Sequence, residues 1–210
     1  MRSSKVPAPP DLKPWFLIHE DLSGPFDWEK FFGNTNPVEL EIGTGRGLFL
    51  LNSALARPET NFLGMELDYK EGRYAATRYQ KRGLPNVRIL GGDAKRAIRE
   101  FIPTGSLAAV HIYFPDPWWK RRHHSRRMMT PEVVREIIRM LLPNGLLHFW
   151  TDVESYFEIT EKLLAGFPEF KMLPKPEERA AEHDLDYLTN FERKKRQAGL
   201  AIYRGLWQKA

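Results

Sequence analysis

The stretch from Val38 to about Leu50, VELEIGTGRGLFL, constrains the fold more than any other part of the chain. Five strand-forming residues run into three glycines on alternate positions, Gly43, Gly45 and Gly47, and then into an apolar segment of helical period. A strand that turns directly into a helix through glycine lets backbone approach a ligand and take up positive φ at little steric cost. It also implies a parallel sheet, because the helix must carry the chain back to start the next strand. The rest of the sequence repeats the alternation. Strands are expected over 38–42, 61–66, 86–90, 107–114, 146–150, 170–173 and 200–207, with helices over 48–57, 70–82, 95–101, 131–141 and 154–164. Thr130-Pro131 is an N-cap followed by proline at the first helical position, and Pro143-Asn144-Gly145 ends that helix. The expectation is an α/β fold, a mostly parallel seven-stranded sheet with helices on both faces. Residues 25–210 are read as one domain and residues 1–24 as a Pro-rich, mobile amino-terminal arm. The 26-residue polar connection 174–199 is longer than structure alone requires.

Carboxylates recur at one place in this pattern. Glu41, Glu66, Asp93 and Asp116 end four successive strands on the edge where open α/β sheets bind ligands. The third glycine arrives one residue too early for a dinucleotide fingerprint, Leu48 standing in its place, and Glu41 would repel a pyrophosphate. An acid there suits a ligand bearing an ammonium or sulfonium. Glu66, 19 residues after Gly47, is placed to accept both hydroxyls of a ribose, and Asp93 to accept an adenine amino group. Each acid also has a bland use: Asp93 as a helix cap, Glu41 paired with Arg46, Glu66 as surface charge.

Charge and composition narrow the partner. The net charge is +5, and Lys120, Arg121, Arg122, Arg126 and Arg127 lie within eight residues that hold no acid. A concentrated basic tract attracts a polyanion, and it lacks the apolar helical stripe of a membrane-surface segment. There is no cysteine, which excludes disulfides and thiolate metal sites and fits a reducing cytoplasm. No metal site is expected: adjacent residues such as His123 and His124 rarely aim at one ion, no third ligand is evident, and cations flank them.

The tract follows Phe114-Pro115-Asp116-Pro117-Trp118, where two prolines restrict the backbone around a single carboxylate. Trp118 is read as a base-stacking platform and Trp119 as a packing residue. Further on, Asp152 ends a strand, and Thr189-Asn190-Phe191-Glu192 precedes another basic run; a helix start fits the latter as well as a substrate contact.

The E-x-G-x-G-x-G loop with an acid after each of the next two strands resembles the class I S-adenosylmethionine-dependent methyltransferases, a Rossmann-like fold. Together with FPDPWWKRRHHSRR and TNFERK, it is similar to the bacterial tRNA (guanine-N7)-methyltransferase family from about residue 37 to 207. The sequence departs from the family pattern at Trp119, where proline is usual, at Asn190, where histidine is common, and in its Pro-rich start. The resemblance implies S-adenosylmethionine as methyl donor and tRNA as partner, with guanine-46 of the variable loop as target. It places Asp116 at the catalytic centre, and Glu41, Gly43, Gly45, Glu66, Asp93 and Asp116 around the donor. Lys120, Asp152, Thr189, Asn190, Phe191 and Glu192 fall to substrate, and Arg121, Arg122, Arg126 and Arg127 to the RNA backbone. Nothing indicates an obligatory protein partner, and a monomer or homodimer is expected. Two alternatives stay open: methylation of an exocyclic amine, since P-D-P-W is like the D-P-P-Y type of motif, and a non-catalytic RNA-binding module.

Overall fold

A computed structural model describes residues 11–176 and 187–210. Eight strands form one sheet: β1 (Phe16–Ile18), β2 (Val38–Ile42), β3 (Asn61–Glu66), β4 (Val87–Gly91), β5 (Leu107–Tyr113), β6 (Leu141–Thr151), β7 (Phe170–Met172) and β8 (Tyr203–Lys209). Their spatial order is β1-β4-β3-β2-β5-β6-β8-β7, parallel from β1 to β6, with β8 antiparallel to both its neighbours. Seven helices accompany them: α1 (Trp28–Phe32), α2 (Leu48–Ala56), α3 (Tyr69–Gln80), α4 (Ala94–Glu100), α5 (Pro131–Met140), α6 (Glu154–Ala165) and α7 (Asn190–Gln197). Among the described residues no helix is long and apolar enough to cross a membrane.

The eighth strand corrects the expected count of seven. Phe16 pairs with Ile89 on the free edge of β4, and Leu12 is buried. The Trp15 indole N–H donates to the Leu84 carbonyl at 2.7 Å, and the Ile89 amide to the Trp15 carbonyl at 2.8 Å. Within the expected arm, residues 16–18 thus pair along a sheet edge whose backbone would otherwise lie unpaired. Residues 1–10 lie outside the described residues. Two other differences are local. The strand expected over 200–207 begins at Tyr203, and β6 starts at Leu141, so Pro143-Asn144-Gly145 lies inside the strand range, Asn144 at φ +62°.

Two apolar clusters sandwich the sheet. Phe49, Leu50, Ala54, Ala75, Ala76 and Tyr79 from α2 and α3 pack on Phe62, Val87 and Ile89. On the opposite face Ala97 and Ile98 of α4, Val134 and Ile137 of α5, and Tyr156 and Leu164 of α6 pack on Leu40, Val110 and Phe149. The chain leaves β2 toward β3 and β4 on one side and later returns to place β5 on the other, Ile42 lying opposite Met65 and Ile112. The carboxyl ends of β2 and β5 thus meet where the strand order reverses, the position at which open α/β sheets form ligand crevices.

One polar network is built into the sheet. Glu39 of β2 accepts a bidentate pair from Arg57 at 2.6 and 3.0 Å and a third bond from His111 Nε2 at 2.9 Å. His111 Nδ1 lies 2.9 Å from the Tyr113 hydroxyl, and His148 stacks on the His111 ring at 4.6 Å. Burial, and then the neighbouring His111, lower the pKa of His148 to about 3. Burial would raise Glu39, but the hydrogen bonds and charge of His111 and Arg57 outweigh it and hold this carboxyl at about 2. A depressed carboxyl pKa stabilises the fold above its unfolded value, near 4.5, and loses that contribution as pH falls toward 2. The size is on the order of 3 kcal/mol. Denaturant titrations of Glu39→Gln and wild type should therefore differ most near neutrality and converge through this acid range; a constant gap would contradict the assignment.

Candidate active site

The glycine loop folds as its sequence demands. Gly43, Gly45 and Gly47 have φ of +82°, +51° and +64°. The amides of Gly43 and Thr44 donate to the Met65 carbonyl at 2.8 and 3.2 Å, which ties the loop to the end of β3. A Cβ on Gly43 or Gly45 would meet open space, so what they supply is backbone conformation on the ligand side. Gly47 differs: a Cβ there would lie 1.9 Å from the Tyr79 hydroxyl, which donates to the Gly47 carbonyl at 2.9 Å. Tyr79, fully buried in α3, is thus the strut under the loop.

Glu41 lies beneath this loop, 2% exposed, and its Oε2 has no hydrogen-bond partner. Burial, and then the charge of Glu66, raise its pKa well above the usual carboxyl value. The pairing with Arg46 does not form; Arg46 donates instead to Glu71 at 2.8 Å. Thr44 Oγ1 in the same loop is also buried and unpartnered. A buried carboxyl and hydroxyl without partners fit a polar, positively charged ligand, which gives the carboxyl a reason to ionise.

Glu66 receives the Gly45 amide on Oε2 at 2.7 Å and the Asp68 amide on Oε1 at 2.9 Å. Both oxygens retain acceptor capacity, so the backbone orients this carboxylate without consuming it. Asp93 caps α4, its Oδ1 accepting the Lys95 amide at 2.8 Å, which is the bland use foreseen for it.

After β5 the backbone takes left-handed values on both sides of Pro115-Asp116-Pro117, at Phe114 (φ +52°) and Trp118 (φ +46°). Bulky residues in that region cost about 1–3 kcal/mol each and persist only where neighbours enforce them. The Phe114 amide donates to the Trp150 carbonyl at 2.8 Å, and its ring stacks on Phe191 of α7 at 6.0 Å. Asp116 is exposed at the apex of this loop. Beyond it, residues 121–126 form a 3-10 segment, anchored where Lys95 Nζ donates to the Ser125 carbonyl at 2.7 Å. Arg126 lies over Trp118 at 5.0 Å and Arg127 over Trp119 at 5.5 Å, with Arg127 Nε donating to the Pro117 carbonyl at 2.8 Å. These two arginines shape the loop, a task the sequence alone did not reveal, whereas Lys120 and Arg122 are exposed. Trp119, expected to pack, is 48% exposed, and Trp118 is half-buried.

The residues of α7 are brought to the same end of the sheet. Thr189 is its N-cap, accepting the Glu192 amide at 2.9 Å, and Asn190 is its first residue. Glu192 is buried, held by the Leu188 amide at 2.6 Å and Arg204 at 3.2 Å. Asp152 pairs with Lys195 at 2.6 Å, clamping α7 to the end of β6. Phe191 remains 58% exposed beside Phe114. A cavity of about 1160 Å³ lies behind α7 on the sheet face, lined by Glu39, His111, His148, Trp150 and Arg204; its lining includes no residue of the glycine loop.

Comparison with known proteins adds the following. A family model described as "Putative methyltransferase" matches residues 35–205. A tRNA (guanine-N(7)-)-methyltransferase of Rhodopirellula baltica is 42% identical over 95% of this chain and 76% of its own length. One of Geobacter metallireducens is 36% identical over 90% of each. The chain belongs to the tRNA (guanine-N7)-methyltransferase family. Solved structures place the fold of this family member among methyltransferases: the 16S rRNA methyltransferase KamB has a TM-score of 0.64 at 15% identity, covering 88% of this chain and 93% of its own. A SAM-dependent methyltransferase of Aquifex aeolicus gives 0.57 at 13%, covering 86% and 87%. At such identities the likeness concerns architecture alone.

In this family member the loop geometry leaves no room for a side chain at Gly47. Replacement by alanine combines positive φ with the Tyr79 collision, so Gly47→Ala should unfold at lower denaturant, by about 2 kcal/mol. Adding Tyr79→Phe, which removes the colliding oxygen, should restore part of that loss. No recovery in the double variant would mean that backbone strain, with the remaining contacts to Ala75 Cβ at 2.8 Å and to the ring carbon Cζ at 2.9 Å, sets the cost.

Proposed function

We propose that this protein transfers the methyl group of S-adenosylmethionine to N7 of a guanine in tRNA, guanine-46 of the variable loop by the family pattern. The observation that carries the reading is the meeting of two features at the reversal of strand order: a buried, unpartnered acid under a glycine loop on β2 and a rigidly mounted Asp116 after β5. The activity named for its relatives supports it.

The donor, when bound, supplies an electrophilic methyl carbon on a sulfonium. Glu41 and the turn at Gly43 and Gly45 hold its charged end, and Glu66 orients its ribose. Guanine N7 carries an in-plane lone pair and needs no deprotonation, so the protein requires no general base. Alignment is the main task, and orientation supplies up to roughly 7–11 kcal/mol in favourable intramolecular systems. Asp116, fixed between two prolines, faces the positive charge that develops on the purine or accepts from its N1 and N2 hydrogens. Trp118 and Phe191 offer aromatic surface to an extruded base, an interaction worth about 1–3 kcal/mol. Lys120 and Arg122 meet phosphate, and Asn190 and Lys195-paired Asp152 border the base. The buried ion pair of Glu192 with Arg204 and its bond from the Leu188 amide support its role as the anchor of α7, through which it acts on substrate.

Methyl transfer to unmodified tRNA, followed by borohydride and aniline cleavage at the labelled position, tests the reaction. Asp116→Ala should lower kcat by at least about a hundredfold while tRNA affinity stays within a few-fold. Cleavage absent with label incorporated elsewhere would favour an exocyclic amine, and no incorporation at all a binding module.

A further inference from the structure

A second cationic surface lies on the opposite side of the glycine loop from the tract at residues 120–127. Between Asp68 and Arg82 the chain holds Lys70, Arg73, Arg78, Lys81 and Arg82 against two acids. On α3 the spacing of Lys70, Tyr74, Arg78 and Lys81 repeats the helical period, so the four share one face. Tyr74 is 51% exposed in the middle of that face. Two guanidiniums flank its ring, Arg46 at 5.3 Å and Arg78 at 6.0 Å from the centroid. Neither is loosely placed: Arg46 Nε donates to Glu71 at 2.8 Å, and Arg78 Nη1 donates to the Arg46 carbonyl at 2.9 Å. A shallow cavity of about 270 Å³ opens beside them, lined by Arg46, Lys70, Arg73, Tyr74 and Thr77 together with Glu71, the carboxylate that Arg46 pairs.

An ordinary solvated helix face mixes charges of both signs and keeps its large aromatics inside. This one concentrates positive charge around an exposed ring, and it is bonded to the cofactor loop itself through Arg46. Its place in the sheet matters too. The α3 helix follows β3 and the other basic tract follows β5, and these strands lie on either side of β2. Cations therefore bracket the cleft mouth on both sides, an arrangement that fits a polyanion broader than a single strand.

We propose that the α3 face, with Lys70, Tyr74, Arg78 and Lys81 at its centre, is a second docking surface for the tRNA substrate. Its cations pair with backbone phosphate, and Tyr74 supports an unpaired base or a ribose of a segment away from the target guanine. The proposal rests on tRNA being the substrate. Phosphate contacts carry most of the affinity for nucleic acid and are lost with salt, while stacking on an aromatic ring is salt-tolerant. The two kinds of residue should therefore fail differently.

The test uses the full chain, an unmodified tRNA transcript and equilibrium binding across a salt series, with methyl transfer read in the same preparations. Lys70→Glu with Lys81→Glu, both solvent-facing, should weaken tRNA binding at least tenfold and lower the log–log salt slope by about two, each phosphate contact contributing roughly 0.9. Tyr74→Ala should weaken binding about fivefold or more with the slope unchanged. Affinity for S-adenosylmethionine should stay within twofold in both, which separates docking from damage to the loop. Variants that bind tRNA within twofold of wild type, at the same slope, overturn the proposal, as does a wild-type protein that binds no tRNA. A wild-type protein that binds tRNA yet transfers no methyl overturns the reaction instead, and the affinity ratios still decide the docking surface.

Discussion

A carboxyl group sealed under a glycine loop without a hydrogen-bond partner on one oxygen is an expensive thing to fold, and Glu41 is such a group. Burial raises its pKa because ionisation would strand a charge in a poorly polarisable site. The rest of the site makes sense around that cost. The left-handed glycines hold backbone over the carboxyl, and Glu66, which binds the Gly45 amide, adds a second negative group beside it. A ligand carrying positive charge relieves both acids at once.

The fold supplies the second reactant by the same device. Because the chain moves outward from β2 in one direction and β5 is laid on its other side, the loops after these strands adjoin without any long insertion. The Pro-Asp-Pro segment is then held by strain at Phe114 and Trp118, by the Trp150 carbonyl and by the ring of Phe191. Helix α7 reaches the site through Asp152–Lys195 and through Glu192, which buries its charge against Arg204. The carboxylates at this end of the sheet consequently divide their work. Glu41 has an oxygen without a protein partner and Asp116 is exposed, whereas Asp93 caps α4, Asp152 pairs with Lys195 and Glu192 with Arg204.

That division was only partly legible in the sequence. The strand–glycine–helix transition at residues 38–50 reads directly because glycine spacing and apolar period are local properties. The ligand edge reads as well, since four acids end consecutive strands. What escaped depends on pairing across space. β1 is three residues long in a proline-rich stretch, and only the free edge of β4 makes it a strand. The Glu39–Arg57–His111 network joins residues from β2, the end of α2 and β5, and one buried acid in an apolar run was its sole local trace. Trp119, read as a packing residue, is 48% exposed beside a Trp118 whose φ of +46° no propensity scale anticipates. Thr189 and Glu192 offered two readings three residues apart, and the capping hydrogen bond is the one that the geometry displays.

A Glu41 carboxyl whose pKa is raised by burial in the free protein ionises more readily once a cationic donor lies beside it. Calorimetric titration with S-adenosylmethionine, in two buffers of different ionisation enthalpy between about pH 6 and 9, reads this directly as proton exchange. A raised carboxyl pKa predicts that wild type releases more protons on binding than Glu41→Gln does, and that its affinity rises with pH relative to that variant. Equal proton counts and parallel pH dependences in the two proteins would contradict the account.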